Sequence, residues 1–465
     1  MRNALLSAIA LYALLDVGVL TPAPAPAQAT ASRAETTRGP VALSYDTYRL
    51  PNGLNVVLSR DTSVPVVAVN LWYHVGSADE DPGRTGFAHL FEHMMFQGSE
   101  HVGEDQHFKI VQEAGGSLNG STNPDRTNYY EAAPSNFLET LLWLESDRMG
   151  FLLPAMTQQK LDNQRDVVKN ERRQRYENQP YGLAQETIRE MLYPKGHPYH
   201  HTTIGSMADL SAASMEDVQA FFRRYYTPNN ASLVIRGDFD PAEAKRLVAR
   251  YFGPIPQGPA VNRPQVAPVR LQEARYRVLE DRVQLPQLYQ VWPTPARFAE
   301  GDAELDVLGL ILADGKNSRL YRRLVYEDQL AQWVSASQNG QSLAGQFGVT
   351  VRAKAGVDLD RIEQIVNEEV ERIRREPPSP REVERAVNNI EASFIRRLQS
   401  NLAVADQLNA YAVYTGNPGY LGEDLGRYRA VTPQAVQQAA RQYLGTGRVV
   451  LSVVPQGKLD LQASP

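Results

Sequence analysis

"MEDVQAFFRRYYTPNNASLVIRGDFD", residues 215–240, has a helical period through Tyr226 and then an apolar, β-branched run typical of a strand. "TPQAVQQAARQYLGTGRVVLSVVPQG", residues 432–457, repeats that plan, with Val218 falling on Val436 at an offset of 218. A second pair agrees. "DNQRDVVKNERRQRYEN" (162–178) matches "VERAVNNIEASFIRRLQ" (383–399), with Glu171 near Glu391 at an offset of 220. Matches at nearly one offset mean two copies of one domain.

Working outward, "YDTYRLPNGLNVVLSRD" gives two strands around a turn at Pro51-Asn52-Gly53, and "VPVVAVNLWYHVGS" a third. "HFKIVQEAGG" is a short helix stopped by glycine, and "SLNGSTNPDRTNYYEAAP" two extended segments around a turn. Helical periods follow in "SNFLETLLWLESDRMG" and over 157–177, and Asp240 caps a helix with Pro241 in its first turn. The second copy is expected to carry strands at 275–280, 286–292, 332–338, 345–353 and 448–454, and helices at 302–313, 358–375, 380–412 and 432–443. The expected organisation is a leader at 1–29, a flexible lead-in at 30–43, a first domain at 44–253, a proline-rich linker at 254–270 and a homologous second domain at 271–460.

The chain of 465 residues has a formal charge of −5 and no cysteine. The charge gives no footing for nucleic-acid binding. The missing thiols exclude disulfides, thiolate ligands and a cysteine nucleophile. Arg2, an apolar run and the small residues ending at Ala27-Gln28-Ala29 form a secretory leader with cleavage expected near Ala29. Asp16 interrupts the run and no second run of spanning length follows, so export to the periplasm is expected, not membrane residence.

Chemistry concentrates in "GFAHLFEHMMFQG", residues 86–98. On a helix His89 and His93 share a face one turn apart, a spacing that zinc can bridge, and Glu92 stands beside them as a general base. The order H-x-x-E-H inverts H-E-x-x-H and is known among zinc-peptidase signatures. Two histidines and a glutamate in an otherwise apolar helix need a polar purpose. A third ligand is expected from the helix at 157–177, where spacing leaves Glu171 and Glu177 both open. His197, His200 and His201 are metal-like in composition but interrupted by Pro198. Arg172, Arg173 and Arg175 read as a solvated face.

"HLFEHMMFQGS", "GGSLNGSTNPDRTNYY", "RDVVKNERRQRYENQPYG" and "HPYHHTTIGSMADL" together resemble the pitrilysin/insulinase family of inverted-motif zinc peptidases, on the small-subunit branch related to mitochondrial processing peptidase. The resemblance spans about 40–460. It implies an α+β fold of two homologous domains, each a mostly antiparallel sheet flanked by helices. It implies one Zn2+ per chain on His89, His93 and Glu171, with Glu92 catalytic, and it chooses Glu171 over Glu177. It implies peptide held as an added strand near Asn119, with Gly115 and Gly116 allowing close approach. It also implies a chamber enclosed by two half-molecules, where unfolded peptides are cut.

The chain departs from the family pattern in two places. Many members carry a glutamate where Gln164 stands. Active members also use an arginine and a tyrosine from the second half of the molecule, where "LVYEDQLAQ" (324–332) has Val325 and Gln332. Arg322 and Arg323 are nearby but out of register. The expected function is a zinc endopeptidase subunit completed in a heterodimer by a homologous chain that supplies the pair, with a homodimer as the rival. The alternative is a non-catalytic assembly or peptide-binding subunit whose metal is structural.

Overall fold

A computed structural model of the protein describes residues 43–465. The expected leader, and all of the lead-in except Leu43, lie outside the described residues. The first sheet uses β1 (Asp46–Arg49), β2 (Asn55–Arg60), β3 (Val66–Tyr73), β4 (Ser117–Thr122), β5 (Thr127–Pro134) and β6 (Ala231–Gly237), in the order β1-β2-β6-β3-β5-β4. The second uses β7 (Arg275–Asp281), β8 (Gln287–Thr294), β9 (Ala331–Gly340), β10 (Gly345–Ala353) and β11 (Val449–Pro455), in the order β7-β11-β8-β10-β9. In each sheet one pair is parallel, β2 with β6 and β7 with β11, and every other pair is antiparallel. The second order is the first without β1, and β6 and β11 start 218 residues apart, at Ala231 and Val449.

Helices of the first half are α1 (Phe87–Met94), α2 (Gln106–Glu113), α3 (Leu138–Phe151), α4 (Gln158–Arg172), α5 (Ala184–Leu192), α6 (Met207–Ala212), α7 (Met215–Tyr225) and α8 (Pro241–Phe252). Those of the second are α9 (Asp302–Ala313), α10 (Leu359–Arg375), α11 (Pro380–Arg397), α12 (Asn401–Thr415), α13 (Leu421–Arg429) and α14 (Pro433–Tyr443). Local chemistry sets many of their ends. Asp240 accepts from Glu243 N–H at the start of α8, and Ser379 and Glu382 form a reciprocal capping box on α11.

Two helices cross to the other half's sheet. Ala184, Ile188, Met191 and Leu192 of α5 share a core with Tyr289, Val291, Leu451 and Val453 of the second sheet. Val404 and Leu408 of α12 share one with Val57 and Val234 of the first. Each sheet is therefore covered on one face by its own half and on the other by a helix of the opposite half. This explains why β3 is buried on both faces. Val67, Val69, Leu71 and Tyr73 point into the first core, while Asn70 and Trp72 point to α12, as alternation along a strand requires.

The structure corrects two expected helices. The helix expected at 380–412 is two helices, α11 and α12, broken at Leu398–Ser400, because the Ser400 hydroxyl caps the second through Ala403 N–H. The helix expected at 157–177 ends at Arg172 and continues as a wider turn over Arg173–Glu177, closed by Asn178 N–H to Arg173 O at 2.7 Å. Helices α5, α6 and α13 lie outside the expected elements.

Candidate metal centre

Helix α1 begins at Gly86, whose φ of +90° disfavours a side chain, and Glu80, whose side chain is buried, caps it from outside. Glu80 Oε2 accepts from Gly86 N–H at 2.9 Å and Oε1 from Ala88 N–H at 2.8 Å. The apolar face of α1 (Phe87, Leu90, Phe91, Met94) faces the first core, and His89 and His93 sit with ring centroids 4.8 Å apart. Glu171, in the last turn of α4, meets both rings. Its Oε2 is 3.8 Å from His89 Nε2 and 3.4 Å from His93 Nε2.

These three side chains form one group whose ligand atoms all lie within 4.8 Å of one another. Two donors each ~2.1 Å from a tetrahedral ion stand ~3.4 Å apart, so the spacing fits zinc. The donor set of two imidazoles and a carboxylate fits as well. The electrostatics divide the group: burial opposes the charge on His93, but Glu171 and Glu92 overcome it and raise that ring, whereas His89 and Glu171 shift toward the ligand forms. Burial, then His93, pushes His89 down to about 3, so its ring is neutral and its lone pair free. Burial opposes ionisation of Glu171, but His93, His89 and Arg175 overcome it and hold the carboxyl at about 2. The Arg175 guanidinium pairs with Glu171 Oε1, leaving Oε2 toward the imidazoles. Gln164, two turns earlier on α4, is close enough to the His93 ring to help raise its pKa.

Glu92 lies beside the group on the same helix. Burial raises its carboxyl. Its Oε2 accepts from the Thr122 hydroxyl at 2.5 Å, and Oε1 lies over Gly120, where a Cβ would stand only 3.1 Å away. Both residues belong to β4, the last strand of the sheet. Neither was singled out in the sequence, because nothing near Gly120 or Thr122 marks them as neighbours of a helix 30 residues earlier. Asn119 is exposed on β4, and its side-chain oxygen accepts from Gly120 N–H at 2.9 Å. Gly116 makes room for the chain's own backbone, since a Cβ there would meet Ala132 O at 2.6 Å.

The remaining sequence candidates fall elsewhere. Glu177 pairs with Arg172. Val325 packs against the second core and Gln332 is exposed at the start of β9. Arg322 is paired with Glu327 at 2.7 Å, and Arg323 with Glu368 and Glu369, so both are engaged within the chain. His197, His200 and His201 belong to neither metal-suited group of the described residues. The second such group, His107, Glu131 and Glu145, is fully buried, but the Arg148 guanidinium already supplies its cation. In the second half, α9 carries Gly309 at the offset position of His89. A Cβ there would stand 2.9 Å from Ala336 O of β9, so the helix backbone lies close to the strand.

Two family descriptions match the chain. "Insulinase (Peptidase family M16)" covers residues 55–203, and "Peptidase M16 inactive domain" covers 212–390. The zinc protease PqqE of Helicobacter pylori is 28% identical over 79% of this chain and 83% of its own. A probable mitochondrial-processing peptidase subunit beta of Arabidopsis thaliana is 24% identical over 87% of this chain and 77% of its own. Among solved structures, a protease from Helicobacter pylori superposes with a TM-score of 0.83 at 26% identity, over 89% of this chain and all of that one. The periplasmic protease PqqL of Escherichia coli superposes with a TM-score of 0.74 at 18% identity, over 93% of this chain but 49% of that one.

Proposed function

The chain belongs to the insulinase family of peptidases, family M16, and from that membership we propose that it is the zinc-bearing subunit of a two-chain endopeptidase that cuts oligopeptides or unfolded segments in an enclosed chamber. One observation carries the reading. The Glu92 carboxylate stands beside the convergent His89, His93 and Glu171, and an ion that only braces a fold needs no base next to it. When bound, zinc supplies Lewis acidity to the scissile carbonyl and to water. Glu92 takes the proton from that water and returns it to the leaving amine. Thr122 fixes one Glu92 oxygen, so the other is free for this exchange. The edge strand β4 receives the peptide through backbone bonds, with Asn119 near the scissile bond.

The subunit reading rests on Val325, which has no donor for a substrate carbonyl, on Gln332, which offers a neutral amide where the resemblance expects a tyrosine, and on the engagement of Arg322 and Arg323 in ion pairs. The likeness to about half of a longer protease supports the same division into half-molecules, as does the likeness to a processing-peptidase subunit. The leader expected at 1–29 and the word periplasmic in the description of the Escherichia coli protease support export to the periplasm. No helix of the described residues is long and apolar enough to cross a membrane.

Metal analysis and cleavage of a quenched peptide, run on the wild type, His89→Ala and His93→Ala, test the proposal. About one zinc per wild-type chain is expected, with most of it lost in either variant. Full occupancy in His93→Ala overturns the site. A zinc-loaded wild type that cleaves nothing, with or without a partner chain, leaves the metal a structural role.

A further inference from the structure

Tyr193–Ser206, between α5 and α6, has neither helix nor strand, and it holds the three histidines that read as metal-like. Tyr193, His197, Tyr199, Thr202 and Ile204 are nonetheless buried. The segment reaches three places in and around the metal centre. His201 Nε2 is 2.9 Å from Ser77 O and 2.9 Å from Glu80 Oε2. Both are acceptors, so this nitrogen carries the proton. Glu80 in turn caps the helix of His89 and His93. Gly205 lies directly on Gly86, and a Cβ on Gly205 would meet Gly86 N at 2.3 Å. Gly205 O also accepts from Arg172 Nη1 at 2.7 Å, and Arg172 follows Glu171. Lastly, the Tyr199 hydroxyl donates to Asp125 Oδ1 at 2.5 Å and accepts from Leu343 N–H at 3.0 Å. Asp125 Oδ2 accepts from Ser342 N–H at 3.0 Å. This joins the turn after β4 to the β9–β10 hairpin of the second domain.

One short loop thus holds the start of the helix with two ligands, the end of the helix with the third, and the turn beyond the edge strand. We propose that Tyr193–Ser206 is a positioning loop for the metal centre: His201 and Gly205 set the spacing of α1 and α4, and Tyr199 sets β4 against the second domain. None of these residues touches the reacting atoms. A loop that only fills space would change stability when altered and would not separate metal affinity from peptide affinity.

The proposal rests on the zinc reading, so wild-type zinc affinity is measured first, by competition with a chromogenic chelator. His201→Ala and Arg172→Gln each weaken zinc binding by ~10–100-fold, the usual cost of losing a group that orients a ligand. His201→Gln, which keeps a donor toward Glu80, recovers part of the loss. Tyr199→Phe leaves zinc affinity within ~2-fold, yet in the complete enzyme it raises KM for peptide while kcat changes little, because it loosens edge strand and not metal. If His201→Ala does not fold, His201→Gln and Arg172→Lys carry the comparison. Folded variants that bind zinc like the wild type overturn the proposal, and so does a Tyr199→Phe that loses zinc as readily as His201→Ala. A wild type that binds no zinc overturns the functional reading and this proposal together. Wild-type binding with unaffected variants overturns this proposal alone.

Discussion

Glu92 and Glu131 are both carboxyls raised by burial, and they call for opposite tests. Glu92 faces Thr122 and the metal group. Glu92→Gln keeps its size and removes the base, so zinc is expected to stay while kcat falls by ~10²–10⁴-fold. Cleavage at the wild-type rate by a zinc-loaded Glu92→Gln enzyme rules Glu92 out as the base. Glu131 is sealed with Glu145, Arg148 and a His107 ring that burial pushes down to about 3 and so keeps neutral. Burial pushes Glu131 and Glu145 each up to about 7 from an ordinary 4.5, against one guanidinium. Between those values the folded chain keeps a proton that the unfolded chain has released. The contribution of one such retained proton therefore falls as pH rises through that window, by ~1.4 kcal/mol per pH unit, and the neutral His107 opposes it below its ordinary 6.5. Glu131→Gln should flatten the fall. Urea unfolding of both chains in the same chelator at pH 5, 6 and 7 compares the slopes, and equal slopes reject the assignment. The motif residues were legible because His89, Glu92 and His93 are neighbours on one helix turn. Glu80, Gly120, Thr122 and Arg172 act on those residues from other elements, and no local pattern announces them.

Helix α12 shows why element placement was less legible than element existence. Its apolar face says that it is buried, but periodicity does not say against which sheet. The same holds for α5. What fixes α12 on the first sheet is polar: Asp406 Oδ1 accepts from Trp72 Nε1 at 3.0 Å, Asn70 Nδ2 at 3.2 Å and Asn128 Nδ2 at 3.2 Å. Asn409 Nδ2 adds a bond to Asn70 O at 2.8 Å. Asp406→Ala strands three donors at this contact and should cost about 3 kcal/mol of unfolding free energy. Asp406→Asn keeps one acceptor oxygen and should cost about 1 kcal/mol. A urea midpoint for Asp406→Ala equal to that of the wild type, at unchanged slope, removes Asp406 as the tie. The strands, by contrast, were read nearly to the residue. Their β-branched runs end at turn residues such as Gly53, whose φ of +91° few other residues adopt.

The whole molecule is a duplication whose copies have diverged. The first copy has the metal-suited group with Glu92 beside it, and the second has Gly309 laid close to β9 where the first has His89. The second copy also has Val325 and Gln332 where the family's substrate-binding pair is expected. On the proposed function one chain thus supplies half of a catalytic centre. Losing one preorganised donor to a developing oxyanion costs a hydrolase ~10²–10³-fold, and the absence of two also leaves the peptide poorly aligned. The purified chain should therefore bind zinc and hydrolyse peptide slowly. Titration with a homologous chain that carries the arginine and tyrosine should raise the rate to an end point at one-to-one stoichiometry. Replacing that arginine or tyrosine in the partner should remove the gain while the complex persists, which separates chemistry from assembly. Rate and solution mass are followed at every point of the titration. Full activity from the chain alone, as monomer or homodimer, overturns the two-chain reading. It leaves His89, His93 and Glu171 in place as the candidate ligands, because their convergence does not depend on the partner.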